Sequence, residues 1–83
     1  MGYHRPKPKH LAAKLLQIRE RCRLSQTEIA FLLAPGMSCA RISEYENGIR
    51  TPNLLVLLAY ARLAQIPLEN IIDDDFDLND AYD

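Results

Sequence analysis

The chain has 83 residues, 48% hydrophobic and 25% charged, with 3 Gly, 5 Pro and 2 Cys; this is the make-up of one small globular domain and excludes a disulfide scaffold, a collagen-like repeat or a disordered polymer. The longest apolar run, Leu54 to Ala61, is 8 residues, far short of the roughly 20 that cross a bilayer, and no apolar stretch of signal-peptide type follows the basic amino end; no membrane segment and a cytosolic location are expected. The net charge of -1 conceals two unlike halves: residues 1–50 carry nine Lys/Arg against four acids, whereas 51–83 carry one Arg against seven acids.

Residues 1–9 combine a Pro-Lys-Pro step with Arg5, Lys7 and Lys9. Each proline pushes the preceding residue toward extended backbone, and the segment reads as a flexible basic arm. From His10 the pattern changes. Leu11, Leu15, Ile18 and Cys22 recur at spacings of four, three and four, which places them on one helical face and predicts a first helix over about 9–22. Lys14, Arg19, Glu20, Arg21 and Arg23 fall on the remaining faces, turned to solvent or to an anion. Ser25 followed by Glu28 is a capping box, in which hydroxyl and carboxylate each satisfy an unpaired backbone N–H. It opens a second helix with Ile29, Ala30, Leu32 and Leu33 as its buried stripe. Ala34-Pro35-Gly36-Met37 suits a type II turn, since Pro35 cannot continue a helix and Gly36 accepts positive φ. Ser38 then caps a third helix over about 39–47, with Ile42 and Tyr45 inward and Asn47-Gly48 ending it.

Thr51-Pro52 predicts the start of a fourth helix, the hydroxyl as N-cap and the proline in the first helical position. Leu54 to Ala64 is apolar nearly all round, so that helix either forms the centre of the core or shares its outer face with a partner. Ile66-Pro67 interrupts it, and Leu68, Ile71 and Ile72 form a short fifth helix. Residues 74–83 are acidic, with Phe76, Leu78 and Tyr82 among the aspartates; they read as a solvated tail or as a segment that orders on a partner protein. The chain thus divides into an arm (1–9), an all-α domain (10–73) and an acidic tail (74–83).

Short helices with a tight turn between the second and third have helix-turn-helix geometry. The stretch from Leu24 to Pro52 resembles the Cro/repressor-type (XRE-like) helix-turn-helix family: Ser25-Gln26 opens helix 2, Ala30 is small, Ile42-Ser43 lies in helix 3, and Glu46, Gly48 and Arg50-Thr51-Pro52 follow. The likeness runs from about Leu11 to Ile72. It implies a five-helix, lambda-repressor-like DNA-binding domain. The implied function is a sequence-specific transcriptional regulator, a repressor that binds operator DNA as a homodimer with helix 3 in the major groove. Matched position by position, Cys39, Ala40 and Glu44 are the base readers. Gln26, Ser38, Arg41, Asn47 and Arg50 contact phosphate, and Arg19 and Glu46 form a structural ion pair between helices 1 and 3. Arg5, Lys7 and Lys9 of the arm follow the DNA backbone or enter the minor groove, as arms of such relatives do, or else serve only as a solubilising tail. The chain departs from the family pattern in two places. The turn is about two residues longer than usual, with Ala34 where Gly is common, so Pro35-Gly36 makes the reversal. Cys39 and Ala40 are too short for bidentate contacts to base edges.

Several residues carry a second reading. Arg41 and Arg50 flank helix 3 without an acid at i,i+4 spacing and suit phosphate contacts better than idle surface charge. Glu44 is either a reader of a cytosine amine or a solvated residue. Cys39 is a small residue permitting approach to a thymine methyl rather than a redox group, Cys22 a core filler, and His4 and His10 solvated rather than metal-binding. Leu54, Leu55 and Leu57, with Leu68 and Ile72 nearby, suit a self-association surface and core packing equally well. The short readers, Glu44 and the acidic half favour an alternative function, a protein-binding module of the same fold (antitoxin-like or an anti-repressor component) with a partner on the acidic tail. An enzyme is excluded, since no nucleophile with a base, metal-ligand spacing or phosphate-binding glycine loop is present; no cofactor is expected. The expected location is cytoplasmic and nucleoid-associated.

Overall fold

The computed structural model describes residues 8–79, and among these it contains five helices and no strand: α1 (Leu11–Arg21), α2 (Gln26–Leu33), α3 (Cys39–Glu46), α4 (Leu54–Ala64) and α5 (Glu69–Ile72). Leu11, Leu15 and Ile18 line the buried side of α1, and Cys22 is half-buried against the same core. Arg23, in left-handed backbone (φ 57°), ends α1. Its N–H and that of Leu24 bond back to the carbonyls of Glu20 and Arg19 at 3.0 and 3.2 Å, which satisfies the last carbonyls of the helix.

The capping box forms as expected. The Ser25 hydroxyl accepts from the Glu28 N–H at 3.0 Å and the Glu28 carboxylate accepts from the Ser25 N–H at 2.8 Å. The Ser25 N–H holds the Glu28 carboxyl below the usual carboxylate range. After α2, Ala34 is extended, Gly36 has φ 79° and the Met37 N–H returns to the Ala34 carbonyl at 3.3 Å; this is the type II reversal that Pro35-Gly36 predicts. Ser38 caps α3 through the Arg41 N–H at 3.2 Å.

Helix α4 starts later than expected. Its N-cap is Asn53, whose Oδ1 accepts from the Val56 N–H at 2.9 Å, and Thr51 and Pro52 belong to the connection before it. Asn is a stronger N-cap than Thr, and an Asn three residues ahead of a free N–H outcompetes the Thr-Pro signal. Val56, Leu57, Tyr60, Ala61 and Ala64 form the buried face of α4. Leu57 therefore belongs to the core and drops out of the expected self-association set, whereas Leu54 and Leu55 remain 65% and 75% exposed. Leu32 of α2 is also exposed, because the buried stripe there is Ile29, Ala30 and Leu33 and 100° per residue carries position 32 out of it. Tyr60 is fully buried; its hydroxyl has no hydrogen-bond partner among the described residues. Burial, reinforced by the charge of Glu46, pushes its phenol well above the ordinary tyrosine range.

In the described part of the acidic stretch, 74–79, one residue is buried and the other five are exposed, and the segment is tied to the domain rather than free. Leu78 is fully buried in the core, and the Lys14 ammonium, itself buried, donates to the carbonyls of Asp73 and Phe76 at 2.9 and 2.7 Å. Asp74 accepts from the Lys9 and His10 N–H groups at 2.8 and 3.2 Å and so caps α1, whose N-cap residue His10 makes no side-chain bond of its own. Those two donors, Lys9 foremost, hold the Asp74 carboxyl below its ordinary value. Lys14, expected on a face open to solvent, is instead the post to which the C-terminal segment is tied.

Candidate nucleic-acid interface

Helix α3 has two unlike sides. Ile42 and Tyr45 anchor it in the core, while Cys39, Ala40 and Arg41 are exposed and Glu44 is half-buried. At 100° per residue Ala40, Glu44 and Asn47 share the outward side, with Cys39 and Arg41 flanking it. The eight residues of α3 span about 12 Å, a length that fits across a major groove of about that width.

The inward side is held by charge as well as by packing. The Arg19 Nε donates to Glu46 Oε2 at 2.6 Å and its Nη2 to Oε1 at 3.1 Å, with side chains only 18% and 6% exposed. Arg19 Nη1 also reaches the Leu24 carbonyl at 3.1 Å. The hydrogen bond to Glu46 pushes the guanidinium pKa further up, outweighing its desolvation. Gln26 joins this group: its Nε2 donates to Glu46 Oε1 at 3.1 Å. One carboxylate thus ties α1, α2 and α3 together and fixes how α3 is presented. The ion pair agrees with the family pattern; Gln26's part in it carried no signal at the level of sequence, since only folding brings positions 26 and 46 within reach.

On the outward side Arg41 and Arg50 do have an acidic partner, contrary to the expectation from i,i+4 spacing. Glu44 Oε1 accepts from Arg50 Nε at 3.2 Å and lies 3.4 Å from Arg41 Nε. The helix geometry offers i,i+3 as readily as i,i+4. The reversal at Gly48 (φ 73°) sends Ile49 and Arg50 back over the end of α3, where both N–H groups donate to the Glu44 carbonyl at 2.9 and 3.3 Å. Asn47 is occupied locally, its Nδ2 donating to the Ser43 carbonyl at 2.8 Å. Ser38 lies at the amino end of α3 as its cap. Of the arm, Lys9 is exposed with its N–H bound to Asp74; Arg5 and Lys7, with Tyr3 and His4, lie outside the described residues.

No three His, Cys, Asp or Glu residues gather into a metal-binding group among the described residues, and no described helix is long and apolar enough to cross a membrane.

A family model described as helix-turn-helix matches residues 15–71. The chain belongs to the Cro/repressor-type helix-turn-helix family, a family of DNA-binding, non-enzymatic domains. Among solved structures, the P22 c2 repressor protein in complex with synthetic operator 9T has a similar fold, with a TM-score of 0.68 and 22% identity over 78% of this chain and 96% of that one. No curated protein matches the sequence.

Proposed function

We propose that this protein is a transcriptional repressor that binds operator DNA as a homodimer, seating α3 in the major groove. The observation that carries the reading is the contrast between the two sides of α3: the inner one locked by Ile42, Tyr45 and the Arg19–Glu46 pair, the outer one exposed at Cys39, Ala40 and Arg41 and met at Glu44 by the Arg50 side chain. Cys39 and Ala40 then meet base edges. Their shortness allows close approach and suits thymine methyl groups, but supplies little discrimination per half-site. Two copies about 34 Å apart on one face of the duplex double those contacts, which supports a dimer.

Phosphate contacts fall to Arg41, Arg50 and the N–H groups at the amino ends of α2 and α3, next to Gln26 and Ser38, with Asn47 at the far end of the reading helix. Lys9 marks where the basic arm leaves the domain beside α1, and Arg5 and Lys7 extend the same positive field along the duplex. The similar fold of a repressor bound to its operator supports the same mode of use, and a DNA-bound regulator is placed in the cytoplasm, on the nucleoid.

Selection of binding sites from random duplexes, followed by mobility shifts against unrelated competitor DNA, tests the reading. Enrichment of a two-fold symmetric site with competition-resistant binding is the expected result. Salt-labile, sequence-indifferent binding together with a stable protein partner would replace it with the protein-binding alternative.

A further inference from the structure

The charged groups of the exposed side of α3 form one cluster, and its members compete. Arg41 and Arg50 both direct Nε at the same Glu44 oxygen, at 3.4 and 3.2 Å, and the Arg50 main chain is bound to residue 44 as well. Neither arginine makes the two-pronged contact that a guanidinium and a carboxylate can form, and the terminal nitrogens of both have no hydrogen-bond partner among the described residues. All three side chains are exposed by a third or more, Glu44 the least and Arg50 the most. Such pairs are weak and solvent-screened, so an incoming phosphate can take the arginines over.

We propose that Glu44 is a brake on non-specific DNA binding rather than a base reader: it aims Arg41 and Arg50 along α3 and neutralises one of their two charges until a duplex fits closely enough to claim both. This rests on the DNA-binding reading above and assigns a role to one residue within it. With Cys39 and Ala40 reading weakly, a lowered background is what lets a modest set of base contacts discriminate. Glu44 acts through the two arginines and is a positioning residue.

The test is the salt dependence of binding by wild type and Glu44→Gln, measured on the selected site and on an unrelated duplex, with thermal melts showing that the substitution leaves the fold intact. The expected result is an affinity about tenfold higher at low salt on the unrelated duplex but at most about threefold higher on the selected site, so that the ratio between them falls, and a log–log salt slope on the unrelated duplex steeper by about one. In an Arg41→Gln, Arg50→Gln background the same substitution should lose most of its effect. An altered preference at one base pair with an unchanged slope, or an effect that persists without the arginines, would overturn the brake while leaving DNA binding in place. Failure of the wild type to bind either duplex would overturn the DNA-binding reading and the brake with it.

Discussion

Glu44 and Glu46 stand two residues apart on α3, each facing arginine, and they are put to opposite uses. Glu46 is nearly buried and holds Arg19 through both carboxylate oxygens, at 2.6 and 3.1 Å. Glu44 is 35% exposed and shares one oxygen between two arginines at more than 3 Å. Burial decides the difference. A desolvated pair cannot lose one partner without stranding a charge, whereas an exposed pair can exchange partners at little cost. The first is thus part of the frame and the second part of the adjustable surface.

The sharpest way to break this contrast is to remove each arginine in turn. Arg19→Ala should cost about 3 to 5 kcal/mol, since it leaves Glu46 buried and unpaired, and should largely unfold a domain whose total stability is on the order of 5 to 10 kcal/mol; thermal melts followed by circular dichroism check this. A melting temperature within a few degrees of wild type would place Glu46 among the adjustable residues. The same division separates Leu78 from Phe76 in the C-terminal segment. Leu78→Ala should cost about 2 to 5 kcal/mol, while Phe76→Ala, at a site 43% exposed, should cost clearly less, as measured by chemical denaturation.

On the outer surface the expected effects fall on binding instead of stability. Arg41→Ala and Arg50→Ala should each weaken binding to all sequences alike and lower the salt slope by about one, with melting temperatures unchanged. The smallest effect concerns pH. Asp74 and Glu28 are held below their ordinary values by backbone N–H donors, so each contributes stability that is present above roughly pH 4 and is lost as pH falls through its lowered folded value. Asp74→Asn and Glu28→Gln should flatten acid unfolding in that range, measured by melts at successive pH values.

Local signals were legible in the sequence where the chemistry is local. The capping box of Ser25 and Glu28, the Pro35-Gly36 reversal and the Ser38 cap depend on groups within a few residues of each other, and their spacing is sufficient to read them. The start of α4 shifts from the Thr51-Pro52 signal because Asn53, the stronger N-cap, lies directly beside it and takes the capping bond. What the sequence concealed is long-range. Nothing in the run of aspartates shows that Leu78 enters the core or that Asp74 caps a helix 64 residues earlier, and Lys14 reads as a surface cation until its two carbonyl acceptors are brought to it. The candidate interface divides in the same way: Arg19 with Glu46 was recoverable from the family pattern, whereas the sharing of Glu44 by Arg41 and Arg50 depends on the chain doubling back at Gly48.

The central claim, that the exposed side of α3 is the surface presented to DNA, is tested most directly by amide resonances followed during titration with a selected duplex. The account predicts that Cys39, Ala40, Arg41 and Glu44 shift most, with the start of α2 next and the exposed turn of α4 at Leu54 and Leu55 little changed. Perturbations centred on α4 with α3 unmoved would contradict it.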